Sequence, residues 1–167
     1  MKKLFALMLA LCLLGSVAMA GELVWAGDAE EAASQIEGEF HTIKEGNLKV
    51  WIPAVLQESE LTEEDKEEGI IANFETTDGE AGVFVQYYDL EGMSLDEYAE
   101  DRKENDAEEI EAGTVNGLPC LAYKLDDSAV MAFALENGYV LEFVCGPMDD
   151  EGFAGVAALI ISSIQAN

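Results

Sequence analysis

Few side chains in this sequence are of the types that do covalent chemistry. There is a single histidine, His41, and there are three cysteines, Cys12, Cys120 and Cys145. Acids abound instead, with 35 Asp and Glu against eight Lys and Arg. A Ser-His-Asp or Cys-His arrangement needs an imidazole to take the nucleophile's proton, so it would have to be built on His41. That residue lies in FHTIK, which reads as a strand, and no G-x-S-x-G elbow occurs anywhere in the sequence. The ordinary reading of His41 is a hydrogen-bonded surface imidazole. One histidine and two cysteines in distant strands also cannot make a zinc site by themselves.

The carboxylates invite two other chemistries. Glycoside hydrolysis needs two carboxyls fixed across a cleft, and density of acids along a sequence does not establish that geometry. Calcium is the better ionic idea, since it takes oxygen ligands. Yet no stretch fits D-x-[DN]-x-[DN]-G, and TTDGE (Thr76 to Glu80) and DDEGF (Asp149 to Phe153) are each too short for a dedicated cage. No glycine-rich phosphate loop is present, and the scattered glycines sit at turns. The expectation is therefore no catalytic, cofactor-binding or metal-binding residue, and no cofactor.

The address is better written than the chemistry. Lys2 and Lys3 form a basic start, Leu4 to Leu14 an apolar run, and Ala18-Met19-Ala20 a small-x-small cleavage signature. Residues 1–20 read as a signal peptide cut near Ala20, which predicts a secreted or extracytoplasmic protein at the cell envelope. A retained anchor would need about twenty apolar residues. Cys12 is not a lipoprotein cysteine, because it sits within the apolar run and follows Leu11. Cleavage leaves six basic residues against 35 acidic ones, a formal charge of −29. A surface this acidic repels phosphate backbones, so nucleic acid is excluded as a partner, and anionic membrane surfaces are disfavoured. The charge itself speaks for solubility, or for attraction of cations and basic partners.

Positioning these residues falls to a string of short elements. Residues 21–38 mix small and acidic residues and read as a flexible acidic leader, with a helical turn or two at most between Ala29 and Ile36. Residues 39–167 read as one domain. FHTIK and LKVWI flank Glu45-Gly46-Asn47 as a first hairpin, and Pro53 closes its second strand for want of an N–H. LTEEDKEEG holds a short helix with Thr62 as N-cap and Asp65 three residues on, ended by Gly69. GIIANFE and GVFVQYY are strands by their β-branched and aromatic content. Ser94-Leu95-Asp96-Glu97 matches the capping box and predicts a helix from Leu95 to about Asn105 or Ala107, with Leu95, Tyr98, Ala99 and the stem of Arg102 inward. Phe153, Val156, Ala157, Ile160, Ile161 and Ile164 form one apolar stripe at helical spacing, the main helix packed on the sheet.

Between these helices Ile110 to Gly146 reads as a four-strand meander: IEAGTV, LPCLAYKL, AVMAFALE and YVLEFVCG. Asn116-Gly117 and Asn137-Gly138 are the strongest short-range hairpin signals there are, and Asp126-Asp127-Ser128 is turn chemistry too. A two-residue Asn137-Gly138 turn sets Cys145 opposite Val130. Pairing Asp126 with Ala129 sets Cys120 opposite Leu135. The cysteines then stand five residues apart along the central strand, on opposite faces, with Cα atoms roughly 15–20 Å apart. A disulfide reaches only about 7 Å, so two free buried thiols are expected despite export. Met131, Phe133 and Leu135 point one way and Val130, Ala132 and Ala134 the other, so the sheet wants cover on both faces. The expected fold is α+β: a central, mostly antiparallel sheet of about six to eight strands with helices over it.

The order of signals resembles that of small exported bacterial proteins with the PsbP-like fold, shared by the photosystem II extrinsic protein and the Ran-binding Mog protein. The resembling stretches are LKVWIP, LTEEDKEEG, SLDEYAE, NGLPCLAY, ENGYVLEF and the helix ending in SSI, from about Phe40 to Ile164. The resemblance implies an α/β/α sandwich with a non-catalytic accessory or binding role, and it supplies no functional residues. The leading expectation is thus an exported, acidic, non-catalytic domain, probed best by its partner, an unknown protein or small ligand at the envelope. It would be a monomer without a membrane span after cleavage. The alternatives are a carboxylate-dependent hydrolase and a calcium-responsive surface module.

Overall fold

The computed structural model describes residues 22–25 and 27–167, so the expected signal peptide lies outside the described residues. Strands β7 (Glu108–Val115), β8 (Leu118–Leu125), β9 (Ser128–Ala134) and β10 (Tyr139–Gly146) form the meander. Beyond β10 the sheet continues with β6 (Gly82–Asp89), β5 (Ile70–Glu75) and β4 (Gln57–Glu58), all antiparallel. At the other edge β1 (Glu22–Leu23) lies parallel to β7, which gives eight strands in the order β1-β7-β8-β9-β10-β6-β5-β4.

The first hairpin, β2 (Gly38–Ile43) and β3 (Leu48–Pro53), does not join this sheet. It forms a second one with β11 (Gln165–Ala166), in the order β11-β3-β2. That small sheet and helix α4 (Glu151–Ser163) cover one face of the large sheet together. Ile43, Leu48, Val50 and Ile52 of the small sheet meet Phe153, Ala157, Ile160, Ile161 and Ile164 of α4 over Met131, Phe133, Leu141 and Phe143. Helix α3 (Leu95–Glu104) covers the other face, where Tyr98 packs among Leu121, Tyr123, Val130, Ala132, Val140 and Val144. The alternation expected for β9 is therefore the one observed. Helix α2 (Glu63–Glu67) and α3 begin on the expected capping boxes: Thr62 Oγ1 accepts from the Asp65 amide at 3.1 Å, and Ser94 Oγ from the Glu97 amide at 3.3 Å.

Where a flexible leader was expected, the structure has β1 and a helix, α1 (Asp28–Ala33). The few apolar residues there suffice because they find a prepared surface: Ala32 and Ala33 are buried against Trp51 and Leu159, with Trp25 and Ile36 beside them. Helix α4 is consequently apolar on two sides, one toward each layer.

The meander's register differs from the expected one at two turns. Asn137-Gly138 is not a two-residue turn, because only Gly138 has positive φ, at 83°. The loop is Glu136-Asn137-Gly138, closed by Leu135 N–H to the Tyr139 carbonyl at 2.7 Å, the three-residue form in which the last residue is left-handed. At the next turn Asp126 itself takes φ 52°, and Leu125 pairs with Ser128. Cys145 thus faces Ala129, and the β8–β9 register sets Cys120 level with Phe133. The offset is even, so both thiols lie on the same face and in one core cluster, contrary to the opposite faces expected. Both are buried and free. Two strand spacings and four residues of rise keep them roughly 16 Å apart.

Candidate functional site

The polar groups that converge most closely do so under α3. Glu142 sits mid-strand in β10, on the face that carries Val140 and Val144, and is only 3% exposed. Tyr98 and Tyr123 both donate their hydroxyls to Glu142 Oε1. The Tyr88 and Tyr98 hydroxyls are hydrogen-bonded, and since Tyr98 spends its one proton on Glu142, Tyr88 is the donor of that pair. Tyr98 and Tyr123 stand 3.3 Å apart at their oxygens. The Arg102 guanidinium lies over the Tyr98 ring at 5.1 Å and pairs with Asp101 at 2.8 Å.

Each member reaches this centre for a local reason. The capping box at Ser94 fixes the start of α3, so that Tyr98, one turn in, points down at the sheet. Tyr123 and Glu142 flank β9 on the same face, Tyr123 opposite Val130 and Glu142 opposite the small Ala132, so the phenol reaches the carboxylate on the diagonal across β9. Burial first, and then the Glu142 carboxylate, push the phenols of Tyr88, Tyr98 and Tyr123 well above their ordinary range. These hydroxyls stay protonated and stay donors. A buried carboxylate that accepts two phenol hydrogen bonds on one oxygen is held in place by them. The signal that could have found it was a lone acid at an inward position of an otherwise apolar strand, YVLEFVCG.

A second candidate place lies on the other face of the large sheet. A groove of about 590 Å³ runs between the β5–β6 loop, the turn after β3 and the start of α4. Its floor is Leu56, Ala81, Pro147, Phe153 and Val156, Val55 stands exposed at its mouth, and its rim carries Asp78, Glu80, Asp149 and Asp150. The two short acidic stretches TTDGE and DDEGF, each too small alone, therefore face one another here. Two of the four carboxylates are engaged within the fold. Asp78 accepts from Thr76 Oγ1 at 2.6 Å and from the Glu80 amide at 3.2 Å, which lowers its pKa below the usual carboxylate range. Asp150 Oδ1 caps α4 through the Phe153 amide at 2.9 Å. Among the described residues no group of three or more His, Cys, Asp and Glu is disposed to hold a metal ion.

His41 lies on β2, in neither place. Its ring meets the edge of Phe74 at 4.8 Å, and Nε2 is 3.5 Å from the exposed Glu39 carboxylate. Burial alone raises the thiol of Cys120 to about 11 and that of Cys145 to about 12, so neither is an activated nucleophile. No helix among the described residues is long and apolar enough to cross a membrane.

No protein-family model matches this sequence, and no curated protein does. Among solved structures, the solution structure of cyanobacterial PsbP (CyanoP) from Synechocystis sp. PCC 6803 superposes with a TM-score of 0.59 at 12% identity, covering 79% of this chain and 94% of that one. At that identity the likeness speaks to architecture alone. The chain has a PsbP-like fold.

Proposed function

We propose that this is an exported, non-catalytic accessory or binding domain that acts on a partner at the cell envelope through its surface. The observation that carries this reading is where the polar groups are spent. The convergent carboxylate and phenols are sealed beneath α3, with Glu142 at 3% exposure, while the accessible groove offers an apolar floor with an acidic rim. A surface of that kind suits recognition better than turnover. The fold likeness to cyanobacterial PsbP supports an accessory role, and the basic-apolar-small order of residues 1–20 supports export. The hydrolase alternative needs one groove acid held protonated as proton donor, whereas Thr76 and the Glu80 amide hold Asp78 as a carboxylate.

The test is the full chain with a C-terminal tag, expressed in the source cells and cross-linked before the envelope is solubilised. The expected result is a mature protein beginning at Gly21 and one partner recovered in fixed ratio. A chain that keeps residues 1–20 in the cytoplasm, or a hydrolytic activity abolished by substituting groove carboxylates, would overturn the reading.

A further inference from the structure

We propose that the groove between the β5–β6 loop and the start of α4 is a docking site for a partner segment in which Lys or Arg flanks an exposed apolar side chain. The inference deepens the accessory reading above and rests on it. Its apolar part is real: Val55 is 58% exposed, a large hydrophobic side chain held in water at the groove's mouth, beside Ala81, Pro147 and Val156. Apolar side chains inside a polar rim are the ordinary plan of a binding surface. The charge part selects the partner. Four carboxylates line the rim and no Lys or Arg does, and Glu80 and Asp149 have neither a hydrogen-bonded nor an ion-paired side chain among the described residues.

Other occupants fit less well. A second copy would bring the same acidic rim against itself, in a chain of formal charge −27. A lone divalent cation wants several converging oxygens, and no three of these acids are so disposed among the described residues. A segment with an apolar tip and cationic shoulders satisfies floor and rim at once.

The experiment titrates the mature protein with a short capped peptide carrying lysines on both sides of a Leu-Phe pair, and with its glutamate-flanked counterpart. Saturable one-to-one binding of the lysine peptide, weakened by salt, is expected, with none for the glutamate peptide. Glu80→Lys with Asp149→Lys should weaken binding roughly tenfold or more, and so should Val55→Asp. Glu100→Lys with Glu104→Lys on α3 changes net charge equally and should leave binding within about twofold. Equal loss in that control pair would reduce the effect to bulk charge and overturn the proposal. So would calcium alone saturating the groove with no peptide bound, or no peptide binding at all. Thermal melts accompany every variant, and Val55→Ser replaces Val55→Asp should the latter unfold. If the peptide fails while cross-linking still recovers an envelope partner, the groove is wrong and the accessory reading stands.

Discussion

Asn116 donates its side-chain amide to the carbonyl of Ile164, at 2.8 Å, across 48 residues of chain. The same amide reaches the Ser162 carbonyl at 2.8 Å, and its oxygen accepts the Trp25 N–H at 2.6 Å. A residue read from sequence as turn chemistry thus satisfies the last carbonyls of α4 and anchors the segment after β1. Replacing it by Ala should cost about 2–3 kcal/mol, from three lost hydrogen bonds of about 1 kcal/mol each. Asn116 also adopts φ 49°, so Asn116→Gly, which tolerates that φ, should cost less than Asn116→Ala. Urea midpoints of the two variants check both the size and the order.

Glu142→Ala should be among the most damaging single changes, at about 3 kcal/mol, because the Tyr98 and Tyr123 hydroxyls would remain buried without their acceptor. Removing the whole network behaves differently. Glu142→Leu combined with Tyr98→Phe and Tyr123→Phe orphans only the part-buried Tyr88 hydroxyl and should recover most of the loss. A triple variant no more stable than Glu142→Ala would show that the network contributes more than mutual satisfaction.

Alkali should expose the same network. The phenols of Tyr88, Tyr98 and Tyr123 titrate above their ordinary value in the folded protein. A raised folded pKa means that the associated stability is complete below the unfolded phenol's pKa, near 10, and falls as pH rises beyond it. Absorbance at 295 nm should therefore show these three ionising together with loss of near-ultraviolet circular dichroism. Smooth ionisation of all five tyrosines in a protein that keeps its tertiary signal would contradict the buried network.

Cys120 and Cys145 should resist thiol reagents in the native protein near pH 8, since only the thiolate reacts and burial holds both thiols at about 11 and 12. In denaturant both should label, giving two free thiols per mature chain. An intact mass lower by two hydrogens would require the two cysteines to come together, which the pairing of β8, β9 and β10 forbids.

How much of this could be read beforehand depended on the range of the interaction. The capping boxes at Thr62 and Ser94, the stripe from Phe153 to Ile164 and the strands of the meander are local patterns, and all appear where expected. Register failed at the two turns where it hinges on a single φ: Gly138 alone is left-handed in one, and Asp126 rather than Asp127 in the other. The separate small sheet was not legible because β3 owes its second neighbour to Gln165 and Ala166, more than a hundred residues away. The Tyr–Glu centre and the groove fail for the same reason. Tyr98 and Glu142 are 44 residues apart, and TTDGE meets DDEGF only once β6 and β10 pair, with Gly82 beside Gly146.

Strand β10 is buried at six consecutive residues, Val140 to Cys145, with a neighbour on each edge and a layer over each face. Its backbone amides have no route to solvent short of the whole domain opening. In deuterium exchange they should form the slowest class, and their rates should report the global free energy of unfolding. The amides of α3, a helix that lies on the surface with one buried residue, Tyr98, exchange through local opening well before that.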